Sequence, residues 1–341
     1  MIIPINLDTG SYPIEIERGA LHRARELFRL DRKVLVVTDS GVPACYAEEI
    51  AAAAKEPYLV TVPQGEESKS LSVFEKLLSK MLSCGFSRKD CVVSVGGGVV
   101  SDLAGFTAAS YMRGIDFYSV PTTVLSAVDA SIGGKTALNL DGIKNIVGAF
   151  YQPKAVLIDL DTMKTLPGRQ VSNGLCEALK MSITSDPELF DVFEQQDPYC
   201  CLDEIITRSV MIKKAVVEQD EKEQNLRKVL NFGHTIGHGI ESAGHALGLY
   251  HGECVAMGMI PMCSKDVQKR LMPVLKKLKL PVSAPIDAEE IYRALIHDKK
   301  AAGGEVSVVT VDEIGSFSFR TIPLSSLKPL INIVTEQGEK A

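Results

Sequence analysis

No excess of basic residues marks this 341-residue sequence: 37 Lys and Arg stand against 43 Asp and Glu, for a net charge of −6. With a pI near 5.6, that balance argues against a nucleic-acid binder, which carries a basic footprint. An acidic total does not exclude an anionic small molecule, because a local group of Lys and Arg still makes a positive pocket. The opening residues MIIPINLDTGSYPIEIERGAL lack a basic stretch followed by an apolar one, so no export signal is expected. No apolar run is long enough to span a bilayer. The eight cysteines include no CxxC pair, and a chain of this kind is expected to be cytoplasmic with reduced thiols. Internal repeats and low-complexity tracts are absent too. What remains is ordinary globular composition, 45% hydrophobic and 23% charged, enough for one large or two medium domains with real cores.

The first half alternates strand-like and helix-like segments. VLVVTDS (34–40), LVTVP (59–63), CVVSVGGG (91–98), FYSVPTT (117–123) and AVLIDL (155–160) read as strands; EEIAAAAK (48–55) and SLSVFEKLLSKMLSCG (70–85) read as helices between them. That alternation predicts a parallel sheet with helices on its faces. Beyond about residue 165, DEIITRSVMIKKAVVEQDEKE (203–223) and ECVAMGMIPMCSKDVQKRLMPVLKKLKL (253–280) carry long helical periodicity, and VSVVTVDEIGSFSFR (306–320) suggests a late hairpin. The expected organisation is an N-terminal α/β dinucleotide-type domain over 1–160 and a mainly helical domain over 161–341. Ligand sites commonly occupy the cleft between two such domains.

SVGGGVVSDLAGF (94–106) places three glycines between an apolar strand and a helix. Glycine lets a backbone approach a pyrophosphate, and a helix N-terminus offers unpaired N–H groups. The usual GxGxxG spacing is missing, so a ligand-free turn competes evenly with a phosphate cradle here. Two further segments favour the cradle. QGEESK (64–69) offers Glu66 as an acceptor for ribose hydroxyls and Lys69 as a cation. PTTVLSAVDASIGGKTALN (121–139) offers Thr122, Thr123, Asp129 and Lys135. Its GGKT lacks the first glycine of a triphosphate loop, position 129 being Asp.

Four of the six histidines fall between residues 234 and 251: His234, His238, His245 and His251. LNFGHTIGHGIES reads as a helix, so His234 and His238 lie four apart on one face, as in an HxxxH metal site. Glu177, in NGLCEALK, and His251, in YHGE, are the other candidates for a three-ligand set that leaves one coordination position open. Spacing does not say which two of His234, His238 and His251 bind. His22 and His245 are expected to be ordinary hydrogen-bonded histidines.

GGGVVSDLAGFTAASYMRGIDFYSVPTTVLSAVDASIGGKTALN, KNIVGAFYQP, NGLCEALK, RKVLNFGHTIGHGIE and HGE together resemble, in order, the motifs of the 3-dehydroquinate synthase family. The resemblance runs from about residue 60 to 300. It implies a Rossmann-like NAD-binding domain plus a helical metal and substrate domain, one zinc (or cobalt) ion per subunit, and a homodimer. It implies Glu177, His234 and His251 as metal ligands, with His238 facing the substrate. It places NAD against Asp39, Glu66, Lys69, Gly97, Gly98, Val99, Asp102, Thr122, Thr123, Lys135, Lys144, Thr162 and Thr165. Lys135, Lys180, His238, Asn145 and Arg113 carry over as catalytic positions, Arg113 with a second subunit as its source. Asp129, Lys213, Arg227, Asn231 and Lys299 carry over as substrate contacts. In register, Lys213 is preferred to Lys214, and Lys299 competes with Lys300. Ser101, where the family usually has glycine, and the TDSG loop (38–41) depart from the pattern.

The family's substrate is 3-deoxy-D-arabino-heptulosonate 7-phosphate, in the shikimate route to aromatic amino acids. The implied chemistry is transient oxidation at C5, loss of phosphate, re-reduction, ring opening and intramolecular aldol closure to 3-dehydroquinate. Rival readings are another sugar-phosphate cyclase and a metal- and NAD-dependent polyol dehydrogenase, whose first metal ligand is typically Asp rather than Glu. A non-catalytic binding protein is disfavoured by so many polar residues in matching register. No nucleic acid and no membrane partner is expected.

Overall fold

The computed structural model describes residues 1–299 and 304–335. Lys300 lies outside the described residues, and so does the side chain of Lys299, which ends its helix. The chain forms two compact units, Met1–Pro167 with Lys213–Glu221, and Gly168–Ile212 with Lys222–Ala341.

The first unit is built on a seven-stranded sheet. Its strands are β1 (Ile2–Ile5), β2 (Tyr12–Glu17), β3 (Lys33–Asp39), β4 (Glu56–Val62), β5 (Cys91–Gly96), β6 (Asp116–Pro121) and, after the β7–β8 hairpin (Lys135–Leu140, Ile143–Phe150), β9 (Ala155–Asp159). The order is β1-β2-β9-β6-β5-β3-β4, parallel except for β1 on β2. Period-two side chains feed two cores. Val34 and Val36 join Phe28, Ile50 and Val93 on one face, with helices α1 (Ala24–Leu27) and α2 (Ala44–Ala53). Leu35 and Val37 join Leu77, Met81, Val92 and Leu103 on the other, with α3 (Leu71–Ser83) and α4 (Gly98–Ser110). A sheet covered on both faces explains why β5 is buried along its whole length and reads as a continuous apolar run rather than an alternating one. The five strands expected from sequence form the contiguous parallel run. The chain leaves β3 for β4 on one side and returns as β5 on the other, which makes the carboxyl ends of β3 and β5 a switch point where ligands of open α/β sheets bind.

The second unit contains α5 (Gly168–Ser185), α6 (Pro187–Gln195), most of α7 (Leu202–Gln219), α8 (His234–Ala243), α9 (His251–Met259), α10 (Lys265–Lys277), α11 (Ala288–Lys299) and α12 (Leu327–Asn332), with the hairpin β10–β11 (Glu305–Thr310, Ser318–Pro323). The continuous helical periodicity over 253–280 does not produce one helix. A turn at Ile260–Met262 containing Pro261 ends α9, and Ser264 caps α10 by accepting from Val267 N–H at 3.3 Å. No helix among the described residues is long and apolar enough to cross a membrane.

Helices α8 and α9 touch backbone to backbone. A Cβ on Gly258 would lie 2.0 Å from Gly233 O and 2.7 Å from Gly237 N, and one on Gly252 would lie 2.2 Å from Asn173 O in α5. Glycine at these crossings brings α5, α8 and α9 close enough for their polar side chains to converge. Gly258→Ala should therefore lower unfolding free energy by about 1–3 kcal/mol, as overpacking does. Gly168→Ala, where a Cβ meets nothing within 4 Å, should stay near wild type. Urea unfolding of both variants checks the contrast.

Candidate active site

Glu177 sits midway along α5, whose side chains are buried from Val171 to Thr184, and is itself fully buried. Lys180, one turn on and 1% exposed, forms an ion pair with Glu177 Oε2 and donates to Leu230 O at 2.5 Å. Neither Glu177 oxygen receives a well-aligned hydrogen bond from any described residue. His234 begins α8, after Gly233 in the left-handed region, and His251 begins α9. Their Nε2 atoms lie 3.8 and 3.5 Å from Glu177 Oε1. The three ligand atoms fall within 4.8 Å of one another. Tetrahedral zinc with bonds of about 2.1 Å separates its ligand atoms by about 3.4 Å, so modest inward movement completes the set. Two imidazoles and one buried carboxylate without a well-aligned hydrogen bond are a donor set that suits zinc or cobalt. His238, the HxxxH partner, is exposed; its ring lies 5.2 Å from that of His234 and 6.0 Å from that of His251. It groups with Glu241 and His251 instead.

Charge within the cluster is shared unevenly. Burial pushes the Glu177 carboxyl up, but Lys180, His234 and His251 together hold it well below its usual range. Burial and the adjacent Lys180 keep His234 neutral, well below the ordinary imidazole value. Burial opposes protonation of His251 as well, yet Glu177 and Glu241 raise it to about 10. A proton on His251 and a divalent cation are thus alternative ways of answering the same carboxylate, and binding of one releases the other.

Several holding residues were not evident in the sequence. Arg169, at the start of α5, forks onto Glu253 with both bonds at 2.7 Å, donates to Gly248 O and lies 4.1 Å over the Tyr250 ring. Glu253 also accepts from Tyr250 N–H at 2.8 Å, and Asn173 Oδ1 accepts from Gly252 N–H at 2.6 Å. His251, between those two contacts, is pinned to the helix that carries Glu177. The signal was present as a Glu at the third helical position in YHGE, where it reaches back to the N-cap amide.

In the first unit, most of the residues assigned to NAD lie at the carboxyl edge of the sheet. Asp39 ends β3, Gly97, Gly98 and Val99 follow β5, Thr122 and Thr123 follow β6, Thr162 and Thr165 follow β9, and Glu66 and Lys69 follow β4. Gly97 caps α4 without a side-chain bond or any acid in the first turn, leaving its N–H groups for an anion. The neighbouring Gly96 has a packing reason, since a Cβ there would meet Val100 at 2.8 Å. Lys69 is buried and joins several of these segments. It donates to Asp102 Oδ2 at 2.6 Å and to Asn145 Oδ1, and lies 3.7 Å from Glu66, which accepts from Asn139 Nδ2 at 2.8 Å. Lys213 is buried on the backbone and carboxylate of Asp129, whereas Lys214 pairs with Glu218 along the helix, so Lys213 is the one aimed at Asp129.

Arg113, Lys135, Lys144 and Asn145 are exposed, the last three on or beside the β7–β8 hairpin. Met112 and Arg113 both have positive φ, 50° and 70°, an unfavourable conformation for non-glycine residues. In the second unit Arg227 is 1% exposed, and Asn231 donates to Glu223 at 2.8 Å. Of the two histidines expected to be ordinary, His22 lies against the Glu49 carboxylate, and the side chain of His245 lies outside the described residues.

Burial, more than Lys69 offsets, raises Asp102 from 3.8 to about 6. A carboxyl raised in the folded state destabilises it once ionised, so the cost is complete above pH 6 and absent below about 3.8. The stability of Asp102→Asn relative to wild type should therefore rise by up to about 3 kcal/mol between pH 4 and pH 7. Urea unfolding of the ligand-free proteins across that range tests it; a pH-independent difference would refute the assignment.

Two family models match adjoining stretches of the chain, 3-dehydroquinate synthase N-terminal over residues 59–173 and C-terminal over 174–301. A 3-dehydroquinate synthase of Enterococcus faecalis is 41% identical, covering 97% of this chain and 99% of its own. Among solved structures, a 2-deoxy-scyllo-inosose synthase complexed with carbaglucose-6-phosphate, NAD+ and Co2+ superposes with TM-score 0.88 at 26% identity, covering 97% and 99% of the two chains. The 2-epi-5-epi-valiolone synthase of Streptomyces hygroscopicus subsp. jinggangensis, with NAD+ and Zn2+ bound, gives 0.87 at 25%, covering 98% and 99%. A probable glycerol dehydrogenase of Sinorhizobium meliloti, at 16% identity and TM-score 0.63, shares the fold alone. The chain belongs to the 3-dehydroquinate synthase family.

Proposed function

We propose that this protein is a 3-dehydroquinate synthase, converting 3-deoxy-D-arabino-heptulosonate 7-phosphate to 3-dehydroquinate and phosphate with catalytic NAD and one zinc or cobalt ion, as a cytoplasmic homodimer. The observation that carries the metal part is the Glu177 carboxylate, fully buried without a well-aligned hydrogen bond and faced by two imidazole Nε2 atoms. When bound, the metal supplies Lewis-acid polarisation of the substrate hydroxyls, and NAD supplies a hydride acceptor restored within each turnover.

The protein's own residues supply charge and position. Lys180, buried beside Glu177, is a fixed cation for a substrate oxygen. Arg227, buried as a planar fork, suits bidentate contact with the carboxylate, with Asn231, Lys213, Asp129 and Lys299 completing the substrate set. His238, exposed at the open side of the cluster, takes or returns a proton at a phosphate oxygen. Lys135, Asn145 and Arg113 balance the phosphate charge, Arg113 coming from a second subunit, a reading with which its exposure agrees. Asp39, Glu66, Lys69, Asp102, Lys144 and the glycines and threonines of the sheet edge hold NAD. Glu177 in place of the Asp usual in polyol dehydrogenases supports the cyclase reading.

The heptulosonate phosphate should release inorganic phosphate with no net accumulation of NADH. Steady NADH production from glycerol, without phosphate release, would favour the dehydrogenase instead. Glu177→Gln and His251→Ala should lower zinc content and activity together, each costing at least about 10-fold in metal affinity. His238→Ala should keep zinc and lose turnover. Metal analysis beside phosphate release separates these outcomes, and full zinc in both ligand variants contradicts the assignment.

A further inference from the structure

Helix α8 carries His234, His238 and Glu241 at positions i, i+4 and i+7, so all three face the same way. Glu241 is 14% exposed, and its Oε2 lies 3.4 Å from Nδ1 of His251. The two nitrogens of His251 thus face two different carboxylates, Nε2 towards Glu177 at 3.5 Å and Nδ1 towards Glu241. His234 follows the same plan, with Nε2 towards Glu177 and Nδ1 3.1 Å from the Phe232 carbonyl. Each imidazole therefore presents one nitrogen inward and holds the other on an acceptor, but only His251 is held by a charged group.

We propose that Glu241 is a positioning residue, an outer carboxylate that fixes the tautomer and ring orientation of His251 and strengthens its Nε2 as a metal ligand. The inference rests on the metal reading of Glu177, His234 and His251. The charge arrangement gives it a reason. Lys180 sits on Glu177 and opposes a second cation at that carboxylate. A divalent ion with Glu177 and Lys180 carries a local charge of about +2 in a buried setting, and Glu241 brings it to about +1, which low dielectric rewards. The carboxylate also makes the imidazole a better electron donor than a backbone carbonyl does, so His251, the more exposed of the two imidazole ligands, gains the stronger support.

Zinc affinity by chelator competition, metal content per chain, and the visible spectrum of the cobalt-substituted protein decide the matter. Glu241→Ala should weaken zinc about 10- to 100-fold and shift the cobalt bands. Glu241→Gln keeps an oxygen that accepts from Nδ1–H, and should retain the wild-type cobalt spectrum with a loss of about 3- to 10-fold. A merely structural Glu241 would lower stability in both variants and leave the spectrum unchanged. Zinc affinity of Glu241→Ala within about two-fold of wild type overturns the proposal. So does a second zinc equivalent in wild type that Glu241→Gln removes, since Glu241 would then be a ligand beside His238. If Glu241→Ala does not fold, an affinity of Glu241→Gln within about two-fold of wild type is the overturning result. Wild type that binds no zinc, or Glu177→Gln that still binds it fully, overturns the metal reading itself and is distinct from any effect at Glu241.

Discussion

A carboxylate placed in the centre of a buried helix constrains everything around it. Glu177 is surrounded along α5 by other buried polar groups, Ser172, Asn173, Lys180, Ser182 and Thr184. Those others have local answers. Ser172 and Thr184 donate back to α5 carbonyls, Asn173 holds the Gly252 amide, and Lys180 reaches Leu230 O. Glu177 has only cations and imidazoles for company. An uncompensated buried charge costs several kcal/mol, so the folded unit requires a positive partner there, whether Lys180 alone, a protonated His251 or a metal ion. Metal occupancy and stability of this unit are therefore one equilibrium.

The convergence that answers Glu177 is achieved by absence of side chains. Gly252 and Gly258 let α9 approach α5 and α8 to distances at which a Cβ would overlap backbone oxygen. The Arg169–Glu253 fork and the Asn173 bond then hold the start of α9, so His251 is aimed by contacts at the two residues that follow it. In the first unit a different device does the same work. A single buried ammonium, Lys69, gathers Asp102 and Asn145 from two segments remote in sequence beside its neighbour Glu66, and the sheet's switch point supplies uncapped amides at α4.

Strands β3, β5, β6 and β9 of the parallel sheet were legible in the sequence because near-complete burial makes each a continuous apolar run. The hairpin Lys135–Phe150 was not, since β8 is exposed along most of its length and its residues carry no strand-like alternation. The break between α9 and α10 was overridden in reading by a periodicity that continues across it, although Pro261 and Ser264 marked it. The histidine cluster was visible as a density of a scarce residue, but spacing left the choice among His234, His238 and His251 open. Packing adds what spacing lacks: His234 and His238 share a face, yet His251, from another helix, lies 3.5 Å from the Glu177 carboxylate. Glu241 was hidden because its partner His251 is ten positions away, on a different helix.

Burial around the cluster is graded, and the gradient has a direction. Side-chain exposure rises from 0% at Glu177 through 11% at His234 to 28% at His251, and His238 is fully on the exposed side. A metal held by the first three would be closed off by α5 and open towards His238, which is where a fourth, exchangeable ligand must enter. The residue that a spacing rule selects as a ligand therefore stands at the mouth of the site. On the proposed reading its imidazole there would meet an incoming substrate group instead of giving a nitrogen lone pair to the metal, so two histidines one helical turn apart would differ in chemistry through depth.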